Sequence, residues 1–107
     1  MIQYFAEHNT CRLSGDFLFS NAMDCLQTFE SFKGLLHTSV TLDCAKITKA
    51  DSSFLAILIE IRCWAHKKRW PFVIKDLPIF LKNFLSVYGI EELLTTPIID
   101  ADFIESV

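Results

Sequence analysis

Glycine is scarce in this chain, with three residues in 107, and proline is no commoner at three. A phosphate loop of the Gly-x-x-x-x-Gly-Lys type is absent, which excludes nucleotide binding by that device. Long apolar runs are lacking too. The longest runs from Phe54 to Ile59, far short of the roughly 20 residues that span a bilayer, and the first residues lack the charged and apolar regions of a secretory signal. A cytosolic protein is expected. There is no excess of positive charge either: the net charge is −3 and the pI about 5.5. Neutralising the phosphates of a nucleic acid is therefore not expected to be its task.

Paired cysteines are missing as well. Cys11, Cys25, Cys44 and Cys63 are widely scattered, and the one ligand-like spacing, Cys63 with His66, offers fewer ligands than a zinc site uses. These residues are read as reduced, mostly buried small hydrophobes, with neither a metal nor another cofactor expected. Ser52 and Ser53 follow Ala50-Asp51, which is not a nucleophile elbow, and no His or Lys is placed by sequence to activate them. An enzyme is not expected.

What the chain has in abundance is apolar surface, at 51% hydrophobic residues and a mean hydropathy of +0.33. A chain of this length has room for one domain, residues 1–107, with much surface per unit volume. So many apolar residues cannot all be hidden inside one copy, and a partner surface is expected.

Strand and helix signals alternate along the chain. Ile2 to His8 and Thr10 to Leu13 read as strands joined at Asn9, and Ser14-Gly15-Asp16 as a turn or bulge. A helix capped by Ser20 or Asn21 follows, with Met23, Leu26, Phe29 and Phe32 at helical spacing and Gly34 as a stop. Next come a strand over Val40 to Cys44, a helix over Ser52 to Lys68, a strand over Phe72 to Lys75 and a helix from about Pro78 to Tyr88. Gly89 suits a left-handed terminus, and Ile90 to Leu94 reads as a last short helix. The remaining tail is acidic yet carries Ile98, Ile99, Phe103 and Ile104, a segment suited to docking on the domain or on a partner. This alternation implies an α/β fold whose sheet has parallel neighbours.

The most informative stretch is Val40 to Arg62. Asp51-Ser52-Ser53 opens the second long helix, and either Asp51 or Ser52 has the short oxygen-bearing side chain of an N-cap. Such a place also suits an anion, since a helix begins at its positive end. On this helix Ser52, Ser53, Ala56, Glu60, Cys63 and Lys67 share a small or polar arc. The apolar remainder, with Phe54, Ile57, Ile61 and Trp64 widening the stripe of Leu55, Leu58 and Ile59, exceeds what one sheet covers. Either the first helix or the tail covers the excess, or Phe54 or Trp64 anchors a partner. His66, Lys67, Lys68 and Arg69, flanked by Trp64 and Trp70, form a basic cluster. It reads as a solvated helix end, or as a contact for an anionic membrane surface or an acidic partner.

Leu42-Asp43, Asp51-Ser52-Ser53, Leu77-Pro78 and the closing Leu85-x-x-Tyr88-Gly89-Ile90-x-x-Leu93-Leu94 together resemble a STAS domain, the fold of anti-sigma-factor antagonists. The closing pattern is most similar to the MlaB-type branch. That resemblance implies a small mixed sheet flanked by helices. It also implies a non-enzymatic adaptor that docks on the ATPase subunit (MlaF-type) of an ABC transporter moving phospholipids, and so meets the inner membrane only through that complex. Ser52 matches the family's Ser/Thr that is phosphorylated in the antagonist branch and contacts the ATPase in the transporter branch, and Asp51 matches the acidic residue before it. Taken with the small or polar arc and the surplus apolar one on this helix, the resemblance gives Asp51, Ser52, Ser53, Phe54, Ala56, Glu60 and Trp64 as the expected partner surface. The alternative is an antagonist that binds an anti-sigma serine kinase and is switched by phosphorylation of Ser52; Phe54, where many relatives carry glycine, would obstruct that kinase if exposed.

Overall fold

The computed structural model describes residues 1–89. Four strands and three helices follow in the order β1 (Ile2–Phe5), β2 (Thr10–Phe17), α1 (Phe19–Phe32), β3 (Val40–Ala50), α2 (Ser52–Lys68), β4 (Phe72–Lys75) and α3 (Ile79–Val87). A 3-10 turn, Lys33–Leu35, follows α1. The sheet order is β1-β2-β3-β4, antiparallel between β1 and β2 and parallel across the rest. This is the small mixed sheet with flanking helices that the sequence led us to expect.

Alternation along the strands decides which face is covered. Cys11, Leu13, Val40, Leu42, Cys44 and Phe72 point to one side and are buried there with Phe29 of α1 and Phe54, Leu58 and Ile61 of α2. Thr10, Arg12, Thr41, Asp43 and Lys75 point the other way and line an open groove of about 700 Å³ with Phe5, Glu7 and His8. Arg12 there lies 4.6 Å over the Phe5 ring and 3.7 Å from Asp43, so its charge is already engaged.

Strand β3 runs to Ala50, well beyond the expected end at Cys44. Its pairing with β2 shifts twice, Arg12 opposing Asp43 but Ser14 opposing Lys46, and Gly15 opposing Ile47 but Asp16 opposing Lys49. Each shift inserts one extra residue into β3 and breaks the two-residue period. The inward side therefore passes from Cys44 to Ile47, and a strict alternation stops short of the true end. Of the turn or bulge expected at Ser14-Gly15-Asp16, the bulge is what forms: the segment is part of β2, its register with β3 shifts there, and Gly15 has φ +81°.

Helix α1 also begins differently from expectation. Leu18 is its N-cap, with no side chain able to accept, and Asn21 works from inside the first turn: its Oδ1 accepts from Leu18 N at 3.0 Å while its Nδ2 donates to Asp16 O at 3.1 Å. Met23, expected among the buried positions of α1, is exposed, and Gly34 lies within the 3-10 turn rather than ending the helix. Gly89 has the expected left-handed backbone, φ +69°. The expected helix over Ile90 to Leu94 and the acidic tail lie outside the described residues.

Three of the four cysteines are buried, and Cys63 is exposed on α2. Burial pushes the Cys11 and Cys44 thiols up to about 12 and Cys25 to about 11. Thiolate is the reacting form, so these groups are inert near neutral pH. A thiol reagent should modify Cys63 alone in the native protein and all four cysteines after denaturation; a second fast-reacting thiol in the native state would contradict this packing.

Candidate functional site

The helix pair is organised around the carboxylate of Asp51. Its Oδ1 accepts from Ser53 N at 2.8 Å, capping α2, and its Oδ2 accepts from Phe19 N at 3.0 Å, capping α1 across 32 positions of sequence. The Asp51 amide in turn donates to Phe17 O at 3.1 Å. One side chain thus fastens two helix N-termini to the ends of β2 and β3. These bonds, the one from Phe19 first and that from Ser53 second, hold the Asp51 carboxyl below the ordinary carboxylate range. The group remains wet, so hydrogen bonding rather than burial sets the shift.

Both helices start here and run alongside each other, Phe29 of α1 meeting Trp64 of α2 edge to face at 5.7 Å. Ser52, Ala56 and Glu60 fall on the exposed side of α2, with Ser53 partly covered. The Ser52 hydroxyl makes no hydrogen bond among the described residues. It therefore stands open at the first turn of α2.

Phe54 requires a correction. Its ring is wholly buried and packs on Phe17 at 5.5 Å between centroids, so it belongs to the core and offers nothing to a partner. The same holds for Leu55, Ile57, Leu58 and Ile61, because α1 and the sheet together cover the stripe whose width suggested a second surface. Trp64 is half-buried, enclosed by Phe29 and Trp70. It lies toward the far end of α2 from Ser52, so it and Ser52 do not form one patch.

The exposed apolar residues near Ser52 are instead on α1. Phe19 is 85% exposed and Met23, one turn on, 66%, while α2 adds Ile59 at 44%. The bond from Phe19 N to Asp51 fixes the start of this stripe beside Ser52. The sequence carries a signal for it: Phe19 and Met23 are four apart and lie off the line of Cys25 and Phe29, which are the buried positions of α1.

Among the described residues no group of three or more His, Cys, Asp or Glu could hold a metal, and no helix is long and apolar enough to cross a membrane. A family model described as "Mlab, STAS domain" matches residues 4–96. The chain belongs to the STAS family. No curated protein matches it. STAS domains are generally binding and adaptor modules, so a solvent-facing apolar stripe beside the opening of α2 is where the chemistry of this STAS domain should be sought.

Two outcomes follow from the geometry. Phe54→Ala should cost about 3 to 5 kcal/mol of stability, whereas Phe19→Ala should leave thermal unfolding nearly unchanged because its side chain touches mainly water. Equal melting of the two variants would reverse the assignment of core and surface. For Asp51 the folded carboxyl titrates lower than the unfolded one, so its contribution is complete above the unfolded pKa and fades as pH falls through the folded one. The melting difference between the parent and Asp51→Asn should therefore be present at neutral pH and disappear in acid; a difference that persists there would mean the charge is not what stabilises the helix pair.

Proposed function

We propose that this STAS domain is a non-enzymatic adaptor that binds and supports the ATPase subunit of a phospholipid-transporting ABC system, and that the binding face is the exposed side of the α1–α2 N-termini. The observation that carries the reading is the exposure of Phe19 and Met23 on a helix whose start is bonded to Asp51, next to Ser52, since aromatic and methionine side chains left in water are the usual anchors of a protein interface. The description of the matching family as MlaB-type supports the identity of the partner. Asp51 contributes indirectly, by holding Phe19 and Ser52 on one surface. Phe54 has no part in it, and Trp64 is at most peripheral. Through its partner the protein would be peripheral to the inner membrane on the cytoplasmic side.

The burial of Phe54 also bears on the second reading, a phosphorylation-switched antagonist of a serine kinase. A bulky exposed ring at that position would have obstructed a kinase, and the ring is inside. Ser52 is reachable. A phosphate there would add about 1.5 to 2 negative charges beside the Asp51 carboxylate, which already occupies the positive ends of both helices. An acidic residue also precedes the phosphorylated Ser/Thr in the antagonist pattern that Asp51-Ser52 resembles, so this charge does not separate the two readings, and the adaptor is preferred for the exposed apolar side chains of Phe19 and Met23.

Co-expression with the ATPase and pull-down tests it. The parent chain should co-purify, and Phe19→Ala should weaken binding by about 2 kcal/mol or more without lowering the melting temperature. Ser52→Asp should weaken it as well, by placing a charge at the contact. Capture of a serine kinase instead, with Ser52 phosphorylated in the recovered protein, would establish the second reading.

A further inference from the structure

The two parallel helices also end together. Trp64 is where they meet: Lys33, just past α1, places Nζ 5.6 Å from its ring centroid, and Lys68 of α2 places Nζ 5.7 Å from that ring and 5.9 Å from the ring of Trp70. The indoles contact each other edge to face at 5.5 Å. Lys67 and Arg69 are exposed beside them, and so is Leu35, at 62%. This pole lies about 25 Å from Asp51, the length of a 17-residue helix.

Two helix C-termini carry about half a negative charge each, together roughly one. Lys33, Lys67, Lys68 and Arg69 exceed that, even after Glu30 takes Lys33 at 2.9 Å. Among the described residues the other acidic side chain toward this end, that of Glu7, is on the open face of the sheet in the groove with Lys75. Among the described residues the pole is thus positive, in a chain whose net charge is −3. Capping the helices accounts for only part of that charge.

We propose that this pole is a docking surface for a bilayer containing anionic phospholipid. Lysine and arginine draw it to the negative headgroups, while indole rings are at home in the headgroup layer, where an apolar body and a polar N–H are both satisfied. Leu35 adds an apolar side chain at the same end. The contact is direct, in addition to any association through a transporter, and it leaves the Ser52 pole facing away from the lipid.

Trp64 and Trp70 are the only tryptophans in the chain, so indole fluorescence reports on this pole alone. Full-length protein should sediment with vesicles of phosphatidylcholine mixed with phosphatidylglycerol, and not with phosphatidylcholine alone. Its emission should shift to the blue on binding, and about 1 M salt, which shortens the screening length to roughly 3 Å, should release it. Lys67→Gln with Arg69→Asn removes two charges; asparagine tolerates the left-handed backbone that Arg69 adopts at φ +61°. That variant should bind the anionic vesicles about tenfold or more weakly with an unchanged melt, and if it fails to fold, the single Lys67→Gln carries the comparison. The proposal is overturned if the parent ignores anionic vesicles, if the substitutions leave binding unchanged, or if binding occurs without a tryptophan shift. Since neither substitution touches the Phe19 face, retained ATPase capture with lost vesicle binding separates this surface from the adaptor site.

Discussion

The carboxylate of Asp51 is the point on which the arrangement of helices depends. Two helix N-termini bring together amides that need acceptors and a concentration of positive partial charge, and one anion satisfies both. Because its own amide is tied to the end of β2, the bonds fix where each helix leaves the sheet as well as that it starts. Parallel helices packed side by side would otherwise set like dipole ends against each other. The anion at one end and the cations at the other offset that repulsion.

From this follows a domain with two unlike poles. At the Asp51 end the first turns of both helices face solvent with one reachable hydroxyl and the side chains of Phe19 and Met23. At the other end the last turns meet through Trp64 under a cover of lysines. The stretch between is committed to the core, where Phe17 and Phe54 pack below the Asp51 junction. That ring pair is what an aromatic at position 54 supplies.

A parallel block of strands usually has both faces covered. Among the described residues only one is, and the other face is polar because Thr10, Arg12, Thr41, Asp43 and Lys75 alternate with the buried residues along β2, β3 and β4. On it Arg12 and Asp43 pair at 3.7 Å.

The sequence by itself determined what depends on near neighbours. Helix α2 and strand β4 have the bounds read from capping and periodicity, Asp51 caps α2 through a residue two positions on, and Gly89 ends α3 in the left-handed region that its missing side chain permits. The tertiary structure alone decided what depends on distant ones. The second bond of Asp51 reaches back to Phe19, the far half of β3 is held by a bulged register with β2 that erases its alternation, and Phe54 turns inward against Phe17 of β2. The choice of Phe19 and Met23 as exposed had the same origin. A periodic pattern says which residues share a face of a helix, but whether that face meets water or protein is set by elements far away in the chain.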